Sequence, residues 1–197
     1  MEKAAPLRVR GLVVGHTVRW VRGSFGDEVH DRALARLSEP ERAMISRGTS
    51  LLSWYSYTDW WGYLDACREE AQARRGVSLA DFDTRFTEGV GGEVVKSVYR
   101  FVLDYFQLTT FFQYLPVMYT RNLEPVQIEI IKNITGRLEL RFSGPEGMRG
   151  FFARYMPLSL PYLARLAGAT PAAVQTVADT QELGSFNLEY RFLYQPG

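Results

Sequence analysis

The chain has 197 residues, of which 46% are hydrophobic and 14% aromatic, so it is long enough to bury one sizeable core. Its 23 basic and 22 acidic residues leave a formal net charge of +1. So small a net charge does not produce the positive potential of a nucleic-acid-binding surface. A single cysteine excludes an internal disulfide and a zinc site built from cysteines. Nucleic acid is therefore not an expected partner.

Neither a secretory signal nor a membrane span is predicted. The N-terminus, MEKAAPLRVR, carries an acid at its second position and no apolar run after it. The longest uncharged stretch, residues 105–120, has 16 residues and contains Gln107, Gln113 and Pro116. It is too short and too polar to cross a bilayer. We therefore expect a cytoplasmic protein.

The first elements in chain order are short. Residues 12–21 suit either a helix or a strand that leads into one, and glycines follow at Gly23 and Gly26. Residues 27–37 carry apolar side chains on one side and predict a helix. A third helix opens with Ser38 at its N-cap position and Glu41 three residues later.

The next helical segment holds three of the four tryptophans. These are Trp54, Trp60 and Trp61. Thr58 or Asp59 can cap this helix, and Gly76 ends it. Aromatic residues at helical spacing more often pack on a core than form a stacking platform, so we expect this helix to pack on the core.

Two further helices are predicted before the last third of the chain. Residues 79–106 carry a broad apolar stripe that must be covered on most sides. Gly89 and its neighbouring glycines cost this helix stability or allow another backbone to pack closely. Residues 108–122 form a helix that is bent or broken at Pro116.

The last third predicts two β-hairpins with a helix between them. Apolar and polar residues alternate through residues 126–142 and again through residues 186–194, so each hairpin buries one face. Gly184 and Ser185 mark the turn of the second hairpin, which spans residues 172–194. Residues 148–167 form the crossing helix, which two internal prolines bend or divide. The fold class is α+β, in a single domain spanning residues 1–197. Its subregions are a mainly helical part, 1–123, and a four-stranded antiparallel sheet with its crossing helix, 124–197.

No catalytic or metal-binding constellation is present. The only histidines, His16 and His30, lie in separate predicted elements and have no ligand spacing. Cys67 lies on a helical face that favours burial over reactivity. Packing is the favoured role for each of these residues, although the sequence leaves it open. We expect a non-enzyme with no metal and no cofactor.

Two segments resemble a large paralogous family of myxobacterial proteins. VRGLVVGHTVRWVRGSFGDE is similar to the opening of that family, and LSEPERAMI followed by LLSWYSYTDWWGYLDA is similar to its next signature. The order of helices, hairpin, helix and hairpin resembles a wider superfamily. That superfamily contains haem nitric-oxide/oxygen-binding (H-NOX) sensors, vinyl-reductase-type ligand-binding domains of bacterial regulators, and subunits of vesicle-tethering complexes. QELGSFNLEYRF resembles the closing hairpin of the vinyl-reductase-type members.

The resemblance implies an apolar cavity between helices and sheet. Haem-binding relatives carry an axial histidine near the end of the helical half, but residues 115–124 contain none, and the Tyr-x-Ser-x-Arg propionate clamp is missing. Met118 and Tyr119 are the only conceivable iron ligands there. The closing hairpin also lacks the cysteines of many vinyl-reductase-type domains. We therefore expect a haem-less member of this superfamily.

These observations favour a cytoplasmic, non-enzymatic signalling domain that acts as a sensor or adaptor. Its partner is a small hydrophobic molecule or a signalling protein. The candidate lining residues of the cavity are Trp54, Tyr57, Trp61, Tyr105, Phe111, Phe112 and Tyr119. The alternative is a protein–protein interaction module, dimeric, with a filled core and no ligand. The sequence leaves open which of the two applies.

Overall fold

The computed structural model describes residues 6–46, 49–96, 108–182 and 184–196. Contacts divide the chain into two compact units, the N-terminal unit, Met1–Val94, and the C-terminal unit, Val95–Gly197. A single domain with subregions 1–123 and 124–197 stays a prediction. Within the described ranges, no helix combines the length and apolarity needed to cross a bilayer.

The N-terminal unit is mainly helical. Its elements are β1 (Arg8–Arg10), α1 (Gly11–Phe25), α2 (Asp27–Ala35), α3 (Glu39–Ser46), β2 (Trp54–Ser56), α4 (Tyr57–Arg75) and α5 (Leu79–Phe86). Strands β1 and β2 pair antiparallel. Residues 12–21, which suited a helix or a strand, lie in α1, and Gly26 separates α1 from α2 with a φ of +87°. The Ser38 backbone N–H donates to Glu41 Oε2 at 2.7 Å, so the predicted start of α3 is confirmed.

Helix α4 begins earlier than predicted. The Ser56 hydroxyl, rather than Thr58 or Asp59, caps it by accepting from the Asp59 backbone N–H at 3.3 Å. At the other end, Gly76 adopts a φ of +64° and its N–H donates to the Gln72 carbonyl. The predicted end is therefore confirmed, because only glycine adopts this left-handed conformation without strain.

The described part of the helix predicted over residues 79–106 is helical from 79 to 96 and contains one π-helical turn. Helix α5 is followed by a π-helical turn, Thr87–Gly91, and residues 97–106 lie outside the described part of the chain. Gly89 lies inside that turn, where a Cβ atom would come within 2.3 Å of Trp20 Nε1. The glycine is therefore required by the close approach of an indole side chain, whereas the sequence had suggested the close approach of another backbone.

The C-terminal unit combines short helices with an antiparallel sheet. Its elements are α6 (Leu108–Gln113), α7 (Leu115–Thr120), β3 (Leu123–Glu124), β4 (Gln127–Ile134), β5 (Arg137–Pro145), α8 (Arg149–Leu166), β6 (Thr170–Glu182) and β7 (Ser185–Gln195). The four long strands lie in the order β4-β5-β7-β6. The predicted α+β class with hairpin, helix and hairpin is confirmed. Pro116 lies in the first turn of α7, which is separate from α6 as the sequence indicated.

One face of this sheet is buried. Ile128, Phe142 and Leu188 lie opposite one another across β4, β5 and β7. Phe142 and Leu188 are fully buried, while Ile128 is half-buried near the edge. Helix α8 covers this face, and the Tyr190 hydroxyl donates to the Phe152 carbonyl of that helix at 3.1 Å.

Helix α8 runs without interruption through both of its prolines, Pro157 and Pro161. A two-piece element was one of the predicted outcomes, and the structure has a single helix instead. Each proline removes one backbone donor from the helix, which packing must offset. Met156 and Leu160, both buried, provide apolar packing on this helix, and Gly168, with a φ of +80°, lies just beyond its end.

Ion pairs occupy the opposite face of the sheet. Glu139 accepts from Arg137 Nη2 at 2.5 Å and from Arg191 Nε at 2.6 Å. Arg141 pairs with Glu189 one row further along the strands. Charges therefore line the outer face while apolar side chains line the inner one, which fixes the register.

Truncation of the inner face should destabilise the protein. We expect Leu140→Ala, at a fully buried position, to lower the free energy of unfolding by about 2–5 kcal/mol through lost burial and a cavity. Ile131→Ala, on β4 with 43% of its surface exposed, is the control and should change it by less than about 0.5 kcal/mol. Urea unfolding followed by circular dichroism measures both, and equal effects would contradict the assigned faces.

Candidate functional site

Three predicted lining residues lie in the N-terminal unit. Tyr57 is buried and stacks on Trp61, with ring centroids 6.2 Å apart and planes 7° from parallel. Trp54 is half-buried on β2, and the Arg10 guanidinium lies over its ring at 4.0 Å. These rings pack on neighbouring side chains of the same unit.

Phe111 and Phe112 lie in the C-terminal unit, both fully buried on α6. Phe112 meets Phe192 and Tyr194 edge-to-face, at centroid distances of 6.0 and 5.6 Å. It therefore belongs to the packed face of the sheet. Tyr105 lies outside the described residues.

Tyr119, on α7, packs between the sheet and α8. Its ring lies edge-to-face on Phe142 at 5.9 Å and beside Phe152 at 6.0 Å. Its hydroxyl forms a hydrogen bond with the Ser159 side chain of α8, and burial raises the pKa of the phenol well above its usual range. Tyr119 is therefore a neutral phenol at physiological pH.

A cleft opens at the end of the sheet, beside the C-terminus of α7. Its volume is about 510 Å³. Its apolar floor is formed by Leu123, Val126 and Phe186, all buried. Its polar lining comprises Thr120, Glu124, Gln127, Ser143, Ser185 and Asn187. The cleft thus joins an apolar floor to a polar rim, a combination typical of small-molecule sites.

Close backbone packing shapes the floor of this cleft. A Cβ atom at Gly144 would lie 3.1 Å from the Pro125 carbonyl oxygen and 3.4 Å from Phe186 Cε1. Glycine therefore lets β5 approach residues 125–126 closely. The sequence reasoning missed this cleft, since none of the described aromatic candidates lines it. Gly144 and Pro125 are the residues in the sequence that could have indicated close backbone packing at this position.

His30 and Cys67 belong to a buried polar chain between α2 and α4. His30 Nδ1 and the Tyr63 hydroxyl share a hydrogen bond of 2.7 Å, and the Tyr63 side chain is also hydrogen-bonded to Cys67. Burial raises the pKa of the Cys67 thiol to about 12, so the thiolate required of a nucleophile is not formed. This environment supports a packing role for both residues.

Acidic side chains do not form a metal site within the described residues, where no cluster of three or more histidine, cysteine or acidic residues occurs. Asp83, on α5, is buried. The Arg68 guanidinium donates to both of its oxygens, at 2.9 Å each. A buried carboxylate of this kind is neutralised by its partner. Sequence alone did not reveal that partner, 15 residues away.

No protein-family model and no curated protein matches the chain. Solved structures do. An oxygen-binding H-NOX domain related to soluble guanylate cyclases, solved as its oxygen complex, has a TM-score of 0.69 and 11% identity, covering 95% of this chain and 96% of its own. A mutant of the H-NOX domain of T. tengcongensis has a TM-score of 0.71 and 11% identity, covering 95% and 98%. A structure from a study of haem distortion in the H-NOX family has a TM-score of 0.71 and 12% identity, covering 95% and 96%. The chain therefore has an H-NOX-like fold.

Within the described residues, the segment expected to hold the axial ligand does not fit a haem. Iron needs an axial ligand, commonly histidine, thiolate, methionine or tyrosinate. His16 and His30 lie on α1 and α2, outside the 115–124 segment where the resemblance places that ligand. In that segment Met118 is buried, and Tyr119 is a neutral phenol hydrogen-bonded to the Ser159 side chain. A phenol binds iron as its anion, which burial disfavours here.

We therefore expect the purified protein to show no Soret absorbance and to gain no stable band when haemin is added. Absorbance spectra of the parent, the Tyr119→Phe variant and the Met118→Leu variant test this. A sharp Soret band in the parent that either substitution abolishes would show that the segment does ligate iron.

The stability of the N-terminal unit should fall with acid through His30. Burial first, and the nearby Arg22 second, lower its folded-state pKa below the usual value of 6.5. Below about pH 6.5, His30 binds a proton more readily in the unfolded chain than in the folded one. The stability that neutral His30 allows above about pH 6.5 is therefore lost as the pH falls. We expect the unfolding free energy of the parent to drop relative to His30→Gln between about pH 7.5 and about pH 5. A difference between the two proteins that stays constant with pH would contradict this.

Proposed function

We propose that this protein is a non-enzymatic, haem-less sensor or adaptor domain that binds a small hydrophobic ligand. The carrying observation is the cleft between the end of α7 and the strands of the sheet. Its volume of about 510 Å³ lies within the range of roughly 300–1,000 Å³ found for small-molecule sites. Its place beside a helix end and the strands of the sheet agrees with the cavity expected between helices and sheet.

The lining supports binding rather than chemistry. Ser143 and Ser185 supply hydroxyls to the cleft, but the described lining contains no histidine, lysine or cysteine to act as a base or nucleophile. Glu124 is its single carboxylate, so a paired acid and base is not formed there. A ligand in this cleft would therefore be held and released unchanged.

The position of the cleft suits a sensor. Its lining includes Thr120 at the last turn of α7, Leu123 in β3 and Phe186 in β7, so one ligand would touch a helix end and two strands. A ligand shifts a conformational equilibrium only through contacts that differ between the states. Contacts to several elements at once supply such a difference, which a signalling partner could detect. A cytoplasmic location is part of this proposal.

A second candidate is an interaction module with a filled core. The inner face of the sheet is packed with its own aromatic rings, and apolar side chains remain exposed elsewhere on the sheet. Ile131 and Ile134 on β4 are 43% and 50% exposed, and Val177 on β6 is 48% exposed. Such positions favour contact with a protein partner or a second copy of the chain.

A substitution that fills the cleft should distinguish the ligand-binding function from the interaction module. We expect Thr120→Trp to weaken binding of a fluorescent hydrophobic probe at least about tenfold, because the indole occupies ligand volume at the end of α7. Val117→Trp, on the exposed side of the same helix, is the matched control and should leave probe affinity unchanged. Melting temperatures verify that both variants fold.

Native and denaturing mass spectrometry of the purified parent provide the second measurement. A bound small molecule that is lost on denaturation, and reduced in Thr120→Trp, supports the ligand-binding function. If the parent retains no small molecule and binds no hydrophobic probe, the filled-core interaction module is the better interpretation.

A further inference from the structure

A row of neutral polar side chains crosses the sheet at the cleft. Gln127 on β4 lies opposite Ser143 on β5, and Ser143 in turn lies opposite Asn187 on β7. All three residues line the cleft, and we call them the polar row. Side chains that lie directly opposite one another on neighbouring strands point to the same face, with Cβ atoms about 4.5–5.5 Å apart. One small polar group of a ligand can therefore reach neighbouring members of the row.

The next row of side chains on the same face is used differently. Two residues further along each strand, the Arg141 guanidinium pairs with the carboxylates of Glu129 and Glu189, each at 2.7 Å. Within the described part of the chain, the side chains of the polar row form no hydrogen bond with a protein group. One member of the row is exposed and the other two are half-buried. Their donors and acceptors are therefore open to a molecule in the cleft.

The chemistry of the polar row suits a ligand group that both donates and accepts hydrogen bonds. The amide side chains of Gln127 and Asn187 each carry one carbonyl acceptor and two N–H donors, and the Ser143 hydroxyl donates and accepts. A ligand carboxamide carries the same groups in one plane, so an amide side chain can form two hydrogen bonds with it at once. Asparagine and glutamine bind the edge of adenine in this bidentate manner. A hydrocarbon would instead displace water from the row without replacing the lost hydrogen bonds.

We infer that the polar row is the specificity-determining part of the cleft, and that it selects amphiphiles with an uncharged carboxamide over those whose polar end only accepts hydrogen bonds. This rests on the proposed function, since it requires that the cleft bind a ligand at all. The apolar body of the ligand lies on the floor formed by Leu123, Val126 and Phe186. Its carboxamide lies against Ser143 and Asn187, the half-buried members of the row, where water competes least.

Octanamide and 2-nonanone test this selectivity, because they share one skeleton and differ only in an amino group that is replaced by a methyl group. Both compounds are uncharged near neutral pH, so the comparison does not depend on the ionised side chains around the cleft. Displacement of a neutral hydrophobic probe from the protein gives both dissociation constants. Their ratio in the parent includes the different cost of removing each compound from water. The informative quantity is therefore the change in this ratio on substitution, from which that cost cancels.

Asn187→Leu removes the amide and keeps a side chain of similar size. We expect this variant to lose about fivefold or more of the parent's preference for octanamide over 2-nonanone, because hydrogen bonds to the ligand N–H groups are lost. Gln175→Leu is the matched control, since it also replaces an amide on the outer face of the sheet but lies on β6, outside the cleft lining. It should retain the ratio of the parent.

Ser143→Ala provides a smaller change at the same row, and it tests the inference even where Asn187→Leu melts well below the parent. We expect the preference for octanamide to fall about threefold in this variant, since one hydroxyl is removed. If the ratio is unchanged in both variants while both compounds still displace the probe, the inference is overturned and the proposed function stands. If the parent binds neither the probe nor the two compounds, the proposed function fails and the inference fails with it.

Discussion

The C-terminal unit depends on one constraint, which is that its antiparallel sheet buries only one face. Side chains alternate along each strand, so a shift of one residue would move Phe142 and Leu188 into water and bury Glu139 and Arg141. Helix α8 covers the apolar face, while ion pairs cover the other. The ion pairs are partly exposed and add little stability, but their burial would be costly. Register, the placement of α8 and the position of the cleft all follow from this alternation.

The same alternation explains which parts of the fold were predictable. Period-two patterning and the turn residues identified both hairpins, and local capping chemistry identified the start of α3 at Ser38. Residues 12–21 stayed ambiguous because their apolar spacing fits both a helix and a strand, so only tertiary packing selects the helix. Ser56 was missed as a cap since Thr58 and Asp59 are equally good caps in isolation. The burial of Asp83 depends on Arg68, and a partner on another helix leaves no local signal.

The sequence predicted that a ligand space lies beside the sheet, but not which residues line it. Sequence reasoning expected a ligand space beside the sheet and assigned it to aromatic residues, because large rings line many apolar pockets. In the structure, Phe112 and Tyr119 pack on other rings, which is the commoner use of aromatic residues in small cores. The cleft is instead lined by the buried apolar residues Leu123, Val126 and Phe186 together with polar residues from α7, β3, β4, β5 and β7. These residues converge only in the folded chain. The need for glycine at position 144 likewise arises only because the Pro125 backbone packs against it.

The likeness to H-NOX structures at 11–12% identity shows that this architecture tolerates extensive change in its sequence. In the C-terminal unit the reason is physical. Phe142, Phe152 and Tyr190 pack against one another on the sheet, so the described core is formed by the chain's own side chains. A ligand in a cleft at the end of that sheet would stabilise the fold only by mass action, in proportion to its concentration and affinity. Binding at the cleft and stability of the core are therefore separate properties.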